Sequence, residues 1–73
     1  MDMPCPLSNR EVQCLDGLAV GLSNNDIARQ LHISLPTVAL HLSNARRKLG
    51  AKTREQAVAL AVASGMITPK IPD

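Results

Sequence analysis

Residues Ser23 to Gly50 read SNNDIARQLHISLPTVALHLSNARRKLG, and two helix-start patterns lie eleven residues apart within them. Ser23 precedes Asn24, Asn25 and Asp26. Its hydroxyl can accept an N–H of the first turn, and Asp26 suits the positive end of the helix that follows. Ile27, Ala28 and Leu31 fall on one side of that helix and the polar Asn25, Asp26, Arg29 and Gln30 mostly on the other, which predicts a short amphipathic helix of about two turns. Ser34 repeats the pattern, with Pro36 just inside, where a missing N–H is harmless because first-turn donors have no intrahelical partner. A second helix is predicted from about Leu35 to Leu49. Its apolar residues Val38, Leu42, Ala45 and Leu49 wind into one buried stripe, and Gly50 supplies the stop. His32, Ile33 and Ser34 alone separate the two helices. A short helix, a tight turn and a longer helix make a helix-turn-helix layout, although the glycine often found in that turn is absent.

The flanks complete the fold. Ahead of the motif, Ser8 and Glu11 have the spacing of a capping box and Leu7 and Val12 that of a hydrophobic staple. Val12, Leu15, Leu18 and Ala19 follow at helical spacing, and Gly21 ends the segment. After the motif, Thr53 and Gln56 form another capping pair, opening a helix from about Arg54 to Ser64 with Gly65 behind it. Ala57, Leu60 and Ala61 offer a core-facing side that Ser64 continues. Val58 and Val62 lie beside it, so this helix is apolar over more of its circumference than one core contact requires. Two readings follow: a dimer interface at Val58 and Val62, or a small monomer exposing two valines. The expected architecture is all-α, a tri-helical core plus a fourth, C-terminal dimerisation helix over residues 7–67, with flexible tails at 1–6 and 68–73.

Seventy-three residues make one domain of marginal stability, and no Phe, Tyr or Trp is present to enlarge its core. The lack of aromatics also removes the stacking platform on which single-stranded nucleic acids are held, leaving duplex recognition open. The net charge of +2 conceals a strong division along the chain. Arg29, Arg46, Arg47, Lys48, Lys52 and Arg54 fall between Ile27 and Arg54 with no acid among them, whereas acids outnumber bases on both flanks. Such a segment is the footprint of a polyanion partner, or else a solvated cationic face.

Enzyme and metal chemistry find no support. His32 and His41 have no acidic or cysteine companion at ligand spacing, no glycine-rich phosphate loop exists, and the acids are scattered. No catalytic residue, cofactor or metal site is expected. His41, on the shoulder of the buried stripe, reads as a structural histidine within reach of a phosphate. Cys5 and Cys14 make neither a CxxC pair nor a disulfide framework; Cys14 reads as a small apolar residue flanking the first helix and Cys5 as a free thiol in the leading tail. No apolar run approaches the ~20 residues that span a bilayer, and MDMPCPLS lacks the order of a secretory signal, so a cytoplasmic protein is expected.

At 100° per residue, Leu40, Ser43 and Arg47 lie opposite Val38, with Pro36, Ala39 and Asn44 beside them. Ala39, Leu40, Ser43, Asn44 and Arg47 are therefore the candidates for contact with base edges. Arg46 and Lys48 flank that face, and Lys52 and Arg54 extend the basic strip, all placed for phosphates. Ser34 and Thr37, at the helix N-terminus, add donors for a phosphate.

The ordered residues Leu7-Ser8-x-Arg10-Glu11-Val12, Gly21-Leu22-Ser23-Asn24, Asp26-Ile27-Ala28, Leu31, Ile33-Ser34, Thr37-Val38, His41-Leu42-Ser43-Asn44, Lys48-Leu49-Gly50, Thr53-Arg54, Gln56-Ala57-Val58 and Ala61 resemble the LuxR-type helix-turn-helix domain over Leu7 to about Ile67. The resemblance implies a bacterial transcription regulator that binds double-stranded DNA through its third helix in the major groove and commonly forms a homodimer through its fourth. It also implies an N-terminal sensor domain in a longer parent, autoinducer-binding or phospho-receiver, or else a stand-alone small member. It places base contacts at Ala39, Leu40 and Ser43, where relatives often carry Lys, Arg or another hydrogen-bonding side chain. Two of these are apolar here. Alanine or leucine can meet a thymine methyl, but direct readout would be thin, leaving phosphate contacts and DNA deformability to carry much of the binding. The residues alone also allow a helical module that docks an acidic protein through its basic face.

Overall fold

A computed structural model describes residues 6–70 of the chain. It contains four helices, α1 (Asn9–Ala19), α2 (Asn24–Leu31), α3 (Leu35–Lys48) and α4 (Arg54–Ala63), and no strand among the described residues. Cys5 and residues 71–73, with the tails expected around them, lie outside the described residues apart from Pro6 and Thr68 to Lys70.

Each helix begins where a side-chain oxygen can satisfy first-turn donors. Ser8 and Ser23 both form reciprocal capping boxes: the Ser8 Oγ accepts from Glu11 N at 3.1 Å while Ser8 N donates to Glu11 Oε1 at 2.9 Å, and Ser23 and Asp26 repeat the exchange. Ser34 caps Thr37 N at 3.3 Å. Thr53 caps Gln56 N at 3.1 Å, but the expected return bond goes elsewhere: Gln56 Oε1 accepts from Lys52 N at 2.6 Å. The cap is one-sided because the Gln56 amide reaches past Thr53 to the preceding residue.

The turn between α2 and α3 manages without glycine because His32 itself adopts the left-handed conformation, φ 56° and ψ 43°. Ile33 N then donates to Ala28 O at 3.0 Å and His32 N to Arg29 O at 3.3 Å, closing a Schellman motif. The same pair of bonds ends α3, where Gly50 takes φ 67° without a side-chain penalty.

α3 is the central beam. α1 and α2 both pack on it, α4 closes against α1 and α3, and α2 also touches α1. The core comprises Leu7, Cys14, Leu15, Ile27, Ala28, Val38, Leu42, Ala45, Ala51, Ala57, Ala61 and Ile67. Cys14 lies inside α1 and is fully buried there, not flanking the helix, and burial pushes its thiol pKa up. Gly17, buried in α1, allows α2 a close approach: a Cβ built there would stand 2.8 Å from Ile27 Cγ1.

Three side chains depart from their expected orientation, the first being Ser64, which is exposed at the end of α4 with its Oγ donating to Leu60 O at 2.7 Å and does not continue the core side. Leu60 is 39% exposed; the core side of α4 is formed by the fully buried Ala57 and Ala61, with Val58 half-buried at its margin. Small side chains inward bring the α4 backbone close to α1 and α3, and the larger ones are displaced outward. Lys48, expected beside the DNA-facing strip, instead reaches α1: its Nζ lies 2.8 and 3.1 Å from the two oxygens of Glu11, the one buried charged side chain in the described core. Burial pushes the Glu11 carboxyl up. The Lys48 ammonium, the Ser8 N–H and the nearby His41 outweigh that effect and hold it below the ordinary range.

Candidate nucleic-acid interface

The side of α3 turned away from the core is solvent-exposed at Leu35, Pro36, Ala39, Leu40, Ser43 and Arg47. Leu40 is 58% exposed and Leu35 43%. Both follow from the spacing of the buried stripe, since fixing Val38, Leu42 and Ala45 inward leaves residues half a turn away facing solvent. Asn44 is half-buried, and its Oδ1 accepts a hydrogen bond from Arg47 Nη2. Ser34 and Thr37 share a hydroxyl–hydroxyl contact of 2.7 Å at the helix start, so the Ser34 hydroxyl serves the cap and Thr37 together.

The cations of the strip have distinct environments. Arg46 is half-buried and donates through Nη1 to Ala51 O at 3.2 Å, bracing the loop after α3. Lys52 and Arg54 are exposed. Arg54 donates through Nη1 to Asn24 Oδ1 at 3.2 Å and its Nε lies 3.6 Å from Glu55. A shallow recess of about 320 Å³ opens between these groups, lined by Asn24, Ala39, Leu42, Ser43, Arg46 and Arg54. Residues from α2, α3 and α4 thus converge there, with two guanidinium groups on its walls. The meeting of Asn24 with Arg54 spans thirty residues and had no counterpart in the sequence; only the polarity of Asn24 hinted at a task beyond the first turn of α2.

Lys48 differs from Arg46, Arg47, Lys52 and Arg54 because its ammonium is held by the buried Glu11 carboxylate. Farther round, Arg29 is paired with Asp26 at 2.5 Å, and that bond together with the Ser23 contacts lowers the Asp26 pKa. On α4, Val62 is 45% exposed, while Val58 is half covered by the core. At 100° per residue the outward side of α4 carries Glu55, Ala59, Val62 and Ala63, all exposed. Among the described residues no helix is long and apolar enough to cross a membrane, and no group of three or more His, Cys, Asp or Glu is gathered for a metal ion.

Comparison with known proteins agrees with this geometry. The model of a family described as bacterial regulatory proteins, luxR family, matches residues 5–61. The transcriptional activator protein VanR of Vibrio anguillarum is 48% identical over 63 residues, 86% of this chain and 26% of its own. The CsgBAC operon transcriptional regulatory protein of Escherichia coli (strain K12) is 49% identical over 55 residues, 75% of this chain and 26% of its own. The chain thus spans about a quarter of the length of these curated relatives. Among solved structures, that of the transcription factor GerE superposes with a TM-score of 0.85 at 35% identity, covering 89% of this chain and 97% of that one.

Proposed function

The chain belongs to the luxR family of bacterial regulatory proteins, as a DNA-binding transcriptional regulator domain and not an enzyme, and from that premise we propose that α3 enters the major groove of a duplex, with two copies occupying a palindromic site. The observation that carries this reading is the exposed α3 face of Ala39, Leu40, Ser43 and Arg47, bordered by Arg46, Lys52 and Arg54 in a segment without acids from Ile27 to Arg54. A helix with its core stripe buried and its opposite face open can lie in a groove about 12 Å wide, and cations at the edges of that face then meet the phosphates on either side. Arg46 and Arg54, on two walls of one recess, are suited to a backbone phosphate between α3 and the start of α4. Arg47 and Asn44 reach base edges as a hydrogen-bonded pair. Ser34 and Thr37 offer the α3 N-terminus to a further phosphate.

The second copy packs through α4. Beyond the charged Glu55 at its start, its outward side of Ala59, Val62 and Ala63 is small and apolar enough for two helices to approach closely, and a domain of this size gains stability by burying it. A homodimer of this kind places its half-sites about one helical turn apart, or a little less. In a longer parent the domain serves as the output of an N-terminal sensor, autoinducer-binding or phospho-receiver, acting in the bacterial cytoplasm at the nucleoid.

The test is a titration of selected duplex DNA at rising salt. Duplex binding through this face predicts that log affinity falls linearly with log salt, by about 0.9 units per phosphate contact. Affinity insensitive to salt, or equal affinity for an acidic protein surface and DNA, would sink the proposal.

A further inference from the structure

We propose that Asn24 is a positioning residue for duplex binding: its side-chain carbonyl turns the Arg54 guanidinium toward the α3 recess, away from Glu55, and so presents it to a backbone phosphate. This rests on the duplex-binding reading above and names what aims one of its cations. Arg54 stands on a ridge between two depressions of the surface. On one side is the recess of about 320 Å³ against α3, whose walls include Asn24 and Arg46 and no carboxylate. On the other is a groove of about 380 Å³ between the end of α1 and α4, lined by Leu18, Leu22, Val58 and Glu55. The guanidinium is engaged from both sides. Its Nη1 donates to Asn24 Oδ1 at 3.2 Å, and its Nε lies 3.6 Å from Glu55 Oε1.

The start of α2 leaves the Asn24 side chain free for this task. Ser23 and Asp26 exchange the capping bonds between themselves, so the cap does not involve Asn24. Asn24 and Arg54 are the first residues of α2 and α4, and their contact joins the two helix starts across thirty residues of sequence. An amide carbonyl suits the work. It accepts one of five guanidinium N–H groups and leaves the full positive charge for a phosphate. The Glu55 carboxylate instead holds the same group by charge, and offsets part of its attraction for a phosphate. Aiming a long side chain before DNA arrives also reduces the ordering cost at binding. Arg46 is fixed beside it by Ala51 O, so the recess presents two guanidinium groups. An exposed contact of this kind contributes little to stability, so its effect should appear in binding.

The experiment uses a duplex site that the 73-residue chain selects from a random pool, with each phosphate neutralised singly as a methylphosphonate. Neutralising the phosphate over the recess should lower wild-type affinity about tenfold, and Arg54→Ala should relieve that penalty at the same phosphate. Asn24→Ala should bind the unmodified duplex about threefold more weakly, the ordering cost of one long side chain, and should shrink the penalty at that phosphate alone. Glu55→Gln, which releases the guanidinium from its other partner, should restore more affinity to Asn24→Ala than it adds to the wild type. The urea midpoint of Asn24→Ala should match that of the wild type. A lowered midpoint with every phosphate contact weakened alike would make Asn24 a structural residue and overturn the proposal. A full penalty retained in Asn24→Ala, where Arg54→Ala relieves it, overturns the role of Asn24 while duplex binding stands. An Arg54→Ala variant that relieves no phosphate overturns it as well. Absence of salt-dependent duplex binding removes both readings together.

Discussion

Replacing Lys48 with methionine should destabilise the fold by about 2 kcal/mol near neutral pH, and the size of the loss should depend on pH. The substitution keeps an unbranched stem but deletes the ammonium that lies 2.8 and 3.1 Å from the Glu11 oxygens. Glu11 is only 4% exposed, so the variant leaves a buried carboxylate with the Ser8 N–H as its remaining hydrogen bond. Stranding a fully buried charge costs about 3–5 kcal/mol, whereas charge-assisted hydrogen bonds contribute about 1.5–3 kcal/mol. The Lys48 side chain is 43% exposed, so solvent screens its half of the pair and the lower range applies. For a chain of this size, with a total stability of about 4–11 kcal/mol, such a loss is a large fraction.

The pH dependence is the sharper test. In the wild type Glu11 is held below its ordinary pKa, so it stabilises the fold above the ordinary carboxylate value and loses that contribution as pH falls through its folded pKa. In Lys48→Met burial opposes ionisation with much less against it, and protonating Glu11 relieves the strain. The difference between the two proteins should therefore be full at pH 7 and shrink as pH falls toward and below the ordinary glutamate value of about 4.3. Urea unfolding followed by far-ultraviolet circular dichroism is the suitable assay, because the chain has no aromatic residue to report by fluorescence. Adding Glu11→Gln to Lys48→Met should recover part of the loss by removing the stranded charge. A loss that is constant from pH 7 to pH 3, or a double variant no better than Lys48→Met, would refute the argument.

Further outcomes follow from other sites. Arg54→Ala and Lys52→Ala should each lower the salt slope of duplex binding by about one unit, whereas Lys48→Met should leave the slope unchanged because its charge is held by Glu11. His32→Gly should stabilise the chain by up to about 1 kcal/mol by relieving a left-handed residue, while His32→Val should destabilise it by about 1–2 kcal/mol; urea midpoints decide both. Gly17→Ala should cost about 1–3 kcal/mol despite its better helix propensity, since the new methyl meets Ile27 Cγ1 at 2.8 Å; a gain in stability would mean that α2 moves aside freely. Val62→Glu should abolish cooperative occupancy of a two-half-site duplex and leave binding to one half-site intact, and cooperativity that survives places the interface off α4.

What the sequence made legible was local. The caps at Ser8, Ser23, Ser34 and Thr53 act within three residues, and the stripe of Val38, Leu42 and Ala45 repeats within one helix, so neither needs knowledge of the fold. The exposed face of α3 follows from the same periodicity. The fourth helix was less legible because Ala57-Val58-Ala59-Leu60-Ala61-Val62-Ala63 is apolar throughout, and hydrophobic spacing cannot choose a core side when every side is apolar. Ala57 and Ala61 turn inward and Leu60 is left outside, while the equally small Ala59 and Ala63 face solvent, so neither apolarity nor side-chain size along the helix marks its core side. The Glu11–Lys48 pair was hidden for another reason, since thirty-seven residues separate its members and each already had a sufficient local role.

That pair links fold and function in a way neither residue shows alone. Glu11 caps the first helix with one oxygen and grips the last turn of α3 through Lys48, so the start of α1 and the end of the proposed reading helix are tied by one carboxylate. At the opposite end α3 is set by Ser34 and the left-handed His32, so both ends of the helix are fixed by groups that do not belong to its outward face. The outward residues Ala39, Leu40 and Ser43 are thereby released from structural duty and can vary with little effect on stability. A scan of substitutions at these three positions should shift base preference while leaving the urea midpoint within about 0.5 kcal/mol of the wild type, and a scan at Glu11 and Lys48 should do the reverse. If instead the midpoint moves with Leu40 and base preference moves with Glu11, the division of labour argued from the geometry is wrong.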